Sequence, residues 1–266
     1  MEPVSRGNRI YFAAVGLLAL WVGFWGFFVP SRVDVALPFL VPPLHARFLG
    51  AMYLSGLTLQ IAGLTARRWA TIRVVPLITA IWTGGLFVVS LLHLEVFDFG
   101  AARVAIWFAA YLSYPLIALW LMWKHPAVAV DDDGLAGTPL PAWARGYLVV
   151  QGVAATGVAI ALFVFPDTMV DAWPWPITRL LAQLYFAPLL AYGVASLFLA
   201  RRRTWPEIRV GVVAMFTFAV GVLLASILHR DLFTSDQMSD VVWFSTFAVA
   251  SAALAVLVFR SQQTAD

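Results

Sequence analysis

The chain has 266 residues, of which 62% are hydrophobic and 12% charged, with a formal net charge of +3 and no cysteine. So little charge cannot cover the surface of a soluble domain of this size, and the missing cysteine excludes disulfides, thiolate metal sites and a cysteine nucleophile within this chain. A pI near 9.5 invites a nucleic-acid reading, but the basic residues stand at the ends of apolar runs, where they anchor helices against anionic headgroups.

Runs of about 20 apolar residues are long enough to cross a bilayer as helices. Eight are present, near 10–29, 47–66, 74–92, 103–123, 146–165, 179–199, 208–228 and 241–259. They are apolar on every face, whereas a barrel strand alternates lipid-facing and lumen-facing residues. The first run follows Arg6 and Arg9 as a signal peptide would. It continues through Phe27-Phe28-Val29 with no small-residue cleavage site, and a matching run after Arg145 lies in mid-chain, so it is expected to be retained as a helix. The connection at 35–44 reads Val-Ala-Leu-Pro-Phe-Leu-Val-Pro-Pro-Leu, and a later one holds Trp173-Pro174-Trp175-Pro176. Proline bars both from regular helix throughout. Such segments either anchor in the outer interface through their tryptophans or tuck over the mouth of the bundle. Residues 125–141, with Asp131-Asp132-Asp133-Gly134, read as a polar linker.

Displaced by 136 positions, the second half falls on the first. Arg9, Tyr11 and Gly16 meet Arg145, Tyr147 and Gly152; Trp69 meets Trp205; Ser90, His93 and Phe97 meet Ser226, His229 and Phe233; Trp107-Phe108 meets Trp243-Phe244. The expected architecture is an all-α integral membrane protein of two parallel four-helix repeats, 6–124 and 142–260. Four helices per unit is an even number, so both units enter the membrane in the same sense, related by a pseudo-twofold axis along its normal. With the N-terminus cytoplasmic, twelve basic residues lie inside and only Arg32, Arg47, Arg103, Arg179 and Arg230 outside. Both termini are then cytoplasmic. The preference for arginine over a single lysine suggests a GC-rich genome, and with it a bacterial inner membrane.

Polar residues that recur in both halves are the candidate site. Matching Arg47 with Arg179 requires a gap of four residues, which shortens the second outer connection and pairs Tyr53 with Tyr185. The third helices end in His93-Leu94-Glu95-Val96-Phe97-Asp98 and His229-Arg230-Asp231-Leu232-Phe233. One reading is a structural clamp, Arg47 with Glu95 or Asp98 and Arg179 with Asp231. Another is a pocket in which the arginines and tyrosines hold an anionic headgroup or small ligand. A third places a metal ion, or a haem between two imidazoles, at His93 and His229. His45 and His125 read as loop residues. No ionisable group falls well inside any span, which argues against an ion-coupled carrier. Tyr53, Ser55, Thr58, Gln60, Gln151, Gln183, Tyr185 and Tyr192 read as helix-to-helix hydrogen-bonding groups. Walker, nucleophile-elbow and dinucleotide signatures are absent.

Arg47-Phe48-Leu49-Gly50, then Gly56-Leu57-Thr58-Leu59 and Ala62-Gly63-Leu64-Thr65-Ala66-Arg67, resembles the second helix of DoxX-like four-helix membrane proteins. The resemblance covers one helix and its flanks. The second half departs from it, with Pro188 and Leu189 at the glycine region. It implies a four-helix fold for each unit and carries over no catalytic residue. The function expected is therefore non-enzymatic: an accessory subunit, or a binder of a lipid or small hydrophobic ligand at the outer face. Its partners would be membrane lipids, and a protein partner or second copy in the membrane; no nucleic acid and no cofactor are expected. A metal or haem protein and a carrier for an uncharged solute are the alternatives.

Overall fold

The computed structural model describes residues 3–126, 138–233 and 238–263; the acidic stretch of the expected linker lies outside them. Its long helices are α1 (Arg6–Phe28), α2 (Pro43–Thr65), α3 (Val74–Leu92), α4 (Ala102–Lys124), α5 (Ala142–Val164), α7 (Arg179–Ala200), α8 (Trp205–Leu228) and α9 (Met238–Gln263), with a short α6 (Pro166–Ala172) between α5 and α7. Among the described residues there is no strand, and eight helices are long and apolar enough to cross a membrane.

Helix starts follow from local chemistry. Ser5 and Thr178 accept backbone N–H bonds from Asn8 and Leu181 at the heads of α1 and α7. Thr204 and Glu207 form a capping box at the head of α8, satisfying N–H groups that no helical carbonyl can reach. Pro43 and Pro166 stand in first turns, where a missing N–H costs nothing. Pro115 and Pro188 fall inside α4 and α7, a position tolerated in membrane helices where neighbours supply the freed carbonyls with partners.

In the first half α1 packs on α2 and α3 on α4; in the second α5 packs on α7 and α8 on α9. The halves join through α2 on α8 and α3 on α7. These four make the centre: 67% of the most apolar stretch of α7 is buried, against 11% of that of α9. Small residues permit the crossings. A Cβ built on Gly85 would stand 2.8 Å from that of Ala187, and one on Gly221 2.8 Å from that of Ala51. Lipid gives no hydrophobic drive between helices, so this close approach and the hydrogen bonds carry the association.

The two crossings lie 136 positions apart, and so do other details. Trp107 Nε1 donates to Ser90 Oγ at 2.9 Å, and Trp243 Nε1 to Ser226 Oγ at 2.9 Å. Tyr11 Oη donates to the Tyr114 carbonyl at 2.9 Å, and Tyr147 Oη lies 3.5 Å from that of Ala250. Isolated bridges join Pro3 to Arg68 and Pro139 to Thr204. α2 opens at Pro43 and α7 at Arg179, also 136 apart, so the register needs no gap. The outer connections are equal in length, and Gln183 rather than Arg179 stands where Arg47 does.

Candidate functional site

The proline-broken connections fold inward. Trp175, 2% exposed, packs among Phe48, Trp173, Phe233 and Trp243. Phe39, at the corresponding place, meets Phe97 and Trp107 edge-on. These rings plug the bundle's end; the tryptophans do not serve as interfacial anchors. His45 is no loop residue: it sits buried in the first turn of α2, with Nδ1 2.7 Å from Tyr185 Oη and 3.4 Å from Trp175 Nε1. His125 ends α4, buried against the face of Trp69 at 4.3 Å.

The predicted polar residues meet in pairs other than those expected. Arg47 hydrogen-bonds the Nε2 of His229. Gln183 takes His93: its amide nitrogen donates to the Phe163 carbonyl at 3.2 Å, which turns Oε1 toward His93 Nε2, 2.6 Å away. Each pair links the second long helix of one half to the end of the third of the other. Glu95 is exposed, 3.3 Å from His93 Nδ1. Arg179 lies 3.9 Å from Asp167 rather than beside Asp231, and both groups are largely exposed. Arg230 sits 3.9 Å from the buried Asp240. Tyr185 belongs to the aromatic plug, whereas Tyr53 hydrogen-bonds Tyr111 deep in the first half. The expected clamps are thus replaced by cross-half pairs. Burial, and then the charge of Arg47, lower the pKa of His229, while Asp231 pulls it the other way. Among the described residues no group of three or more histidines and carboxylates could hold a metal ion.

A hollow lies elsewhere, between α1 and α4, with α2 and α3 as its floor. About 40 Å³ is open to the centre of a water molecule, where about 10–15 Å³ suffices for one water. Val15, Leu18, Ala19, Gly56, Leu59, Ile78 and Trp82 give it apolar walls; Tyr53, Gln60, Thr79, Thr83, Tyr111 and Tyr114 bring polar groups, none of them charged at neutral pH. Thr79 Oγ1 donates to the Val75 carbonyl at 2.9 Å, so it can only accept from Gln60 Nε2, 3.2 Å away. That fixes the amide, and Gln60 Oε1 is left buried without a partner. The Tyr53–Tyr111 bond uses one of two hydroxyl protons. The side chains lining the hollow therefore carry one unpaired acceptor and one spare donor.

At the positions 136 further on, these groups are replaced. Thr79 becomes Met215, Thr83 Ala219, Trp82 Phe218, Tyr111 Phe247 and Tyr114 Ala250. Gly56 becomes Tyr192, whose ring packs on Phe218 at 5.4 Å and whose hydroxyl reaches Ser55 at 2.6 Å. Val15 becomes Gln151, whose amide is satisfied at both ends: Tyr147 Oη donates to its oxygen at 2.5 Å, and its nitrogen donates to Ser196 Oγ at 2.8 Å. At three of these places the second half carries a larger side chain: Tyr192 for Gly56, Gln151 for Val15 and Met215 for Thr79. Selecting polar residues that recur picked out Tyr53 but passed over the rest of this lining, whose polar residues do not recur. The ungapped register marks them as polar positions facing apolar ones. No protein family, curated protein or solved structure matches the chain.

Proposed function

We propose that the protein is a non-enzymatic membrane protein of two four-helix repeats about a pseudo-twofold axis, and that it binds one small uncharged ligand from the bilayer in the hollow of its first half. The hydrogen bonds, bridges and glycine crossings repeated 136 positions apart support the repeat; helix composition and the arginine distribution support a multi-pass protein of a bacterial inner membrane with both termini cytoplasmic. The likeness of α2 to DoxX-like proteins accords with a four-helix unit.

The observation that carries the binding reading is the unpaired, enclosed Oε1 of Gln60, a residue that lines a hollow without a charged group. Leaving a buried acceptor unsatisfied costs about 1–3 kcal/mol, a cost that a bound donor removes. The outer face supports binding less well: aromatic rings plug it, and Arg47 and His93 are spent on links between the halves. Solvent extraction of the purified protein should yield an uncharged small molecule in a stoichiometric amount. Gly56→Tyr, which installs the residue found at the matching place in the second half, should abolish it. Identical extracts from the wild type and this variant would refute the reading.

A further inference from the structure

Building on that reading, we infer that the ligand is a bilayer-soluble molecule with a hydroxyl end, taken up by the first half alone, while the second half is the same site closed by its own Gln151. Two unmatched groups belong to side chains that line the hollow: the oxygen of Gln60, which a small turn of its amide would bring to the open space, and one proton of the Tyr53–Tyr111 pair. A hydroxyl answers both, since it donates once and accepts. An ether oxygen answers only the tyrosines. A charged end would find no counter-ion in the lining.

The volume sets how much enters. About 40 Å³ admits the hydroxyl and the first carbons, not a whole ring system; an apolar cavity that binds benzene measures about 150 Å³. The remainder must lie outside, and the geometry gives it a way out. Leu18 and Tyr114, on the two helices that border the hollow, are only half-buried, and α1 and α4 are bridged there by Tyr114 Oη donating to the Ala14 carbonyl at 3.2 Å. An alkyl or isoprenoid body can pass between these helices into the acyl chains.

The second half shows the chemistry of the occupied state. There the side chain of Gln151 enters from the helix that corresponds to α1, and its N–H donates to Ser196, the residue at the place of Gln60. Ser196 Oγ in turn donates to the Tyr192 carbonyl at 2.8 Å, so it serves as an acceptor, as Gln60 Oε1 does. A donor arriving from the α1 side onto an acceptor of the second helix is supplied by the chain itself in one half and by the ligand in the other.

The test uses the full chain in nanodiscs and an octanol carrying a diazirine, with adducts located by mass spectrometry. Saturable labelling is expected at Thr83, Tyr111 or Tyr114 and not at Ala219, Phe247 or Ala250. 1-Octanol should displace the probe at about one-tenth of the bilayer mole fraction needed by its methyl ether. Gln60→Met, of similar length and without the oxygen, should make the two competitors equal; Gln60→Leu provides the same readout should the first variant fold poorly. Equal displacement by alcohol and ether in the wild type overturns the hydroxyl assignment but leaves a binding site. Equal labelling of both halves overturns the closed second site. No saturable labelling anywhere overturns the binding reading itself.

Discussion

Thr79 and Met215 stand 136 positions apart, as do Gly56 and Tyr192, and Val15 and Gln151. The first members line a hollow beside an unpaired amide oxygen; the second members are larger, and the amide of Gln151 is satisfied at both ends. At the ends of α3 and α8 the halves agree instead, down to the tryptophan that donates to a serine. A bundle must pack in both halves, so the agreements report what holds the fold. A ligand needs space in only one, so the disagreement is what the proposed site rests on.

The largest effect should come from applying one chemical change to both glutamines. Gln151→Leu removes a side chain bonded to Tyr147 and Ser196, leaving a buried hydroxyl short of its partner. It should lower stability by about 1–2 kcal/mol. Gln60→Leu removes an amide that is half unpaired, and in the absence of ligand should change stability by less than about 0.5 kcal/mol. Unfolding titrations in mixed micelles would compare them. Equal losses would mean that the two interiors are not different in kind.

A smaller, matched effect is expected where the halves agree. Ser90→Ala and Ser226→Ala each leave an indole N–H without its acceptor, and each should cost about 0.6 kcal/mol, near the mean for hydrogen bonds between membrane helices. A difference of more than about twofold between them would break the equivalence of the two ends. The tryptophans provide a second readout through a shift in fluorescence.

The eight helices were legible because lipid requires long apolar runs with internally satisfied backbones, and arginines mark their ends. The displacement of 136 positions, at which several contacts also recur, could be read from matched residues, but identity misled at one place. Matching Arg47 to Arg179 rewarded like residues, whereas the fold preserves a polar group that reaches the histidine of the other half, and there glutamine at 183 serves as arginine does at 47. His45 escaped notice because nothing in its own stretch announces the Tyr185 and Trp175 that fold onto it from the other half. The hollow was hidden differently. Tyr53 and Gln60 were visible as polar residues, but whether a polar side chain bridges helices or borders a void depends on the volumes of its neighbours, and one half read alone does not give them.

The smallest effect should come from protons, at a link where the halves perform one task with unlike residues. His229 is bonded to Arg47, and His93 to the neutral Gln183. Burial and the neighbouring guanidinium lower the pKa of His229 below the ordinary 6.5. The folded state therefore binds fewer protons than the unfolded state between the lowered value and about 6.5, so stability rises with pH across that window. The contribution is complete above the unfolded pKa and is lost as the pH falls through the folded one. The imidazole is only half-buried, so solvent screens the effect and the loss is small. Unfolding midpoints measured from pH 7.5 to 5 should fall with acid, and His229→Gln, which copies the uncharged partner used in the other half, should flatten that fall. Arg47→Ala should flatten it only in part, because burial, the larger cause, stays. A full slope in the His229→Gln variant would show that the acid sensitivity arises elsewhere and that the two links respond to protons alike.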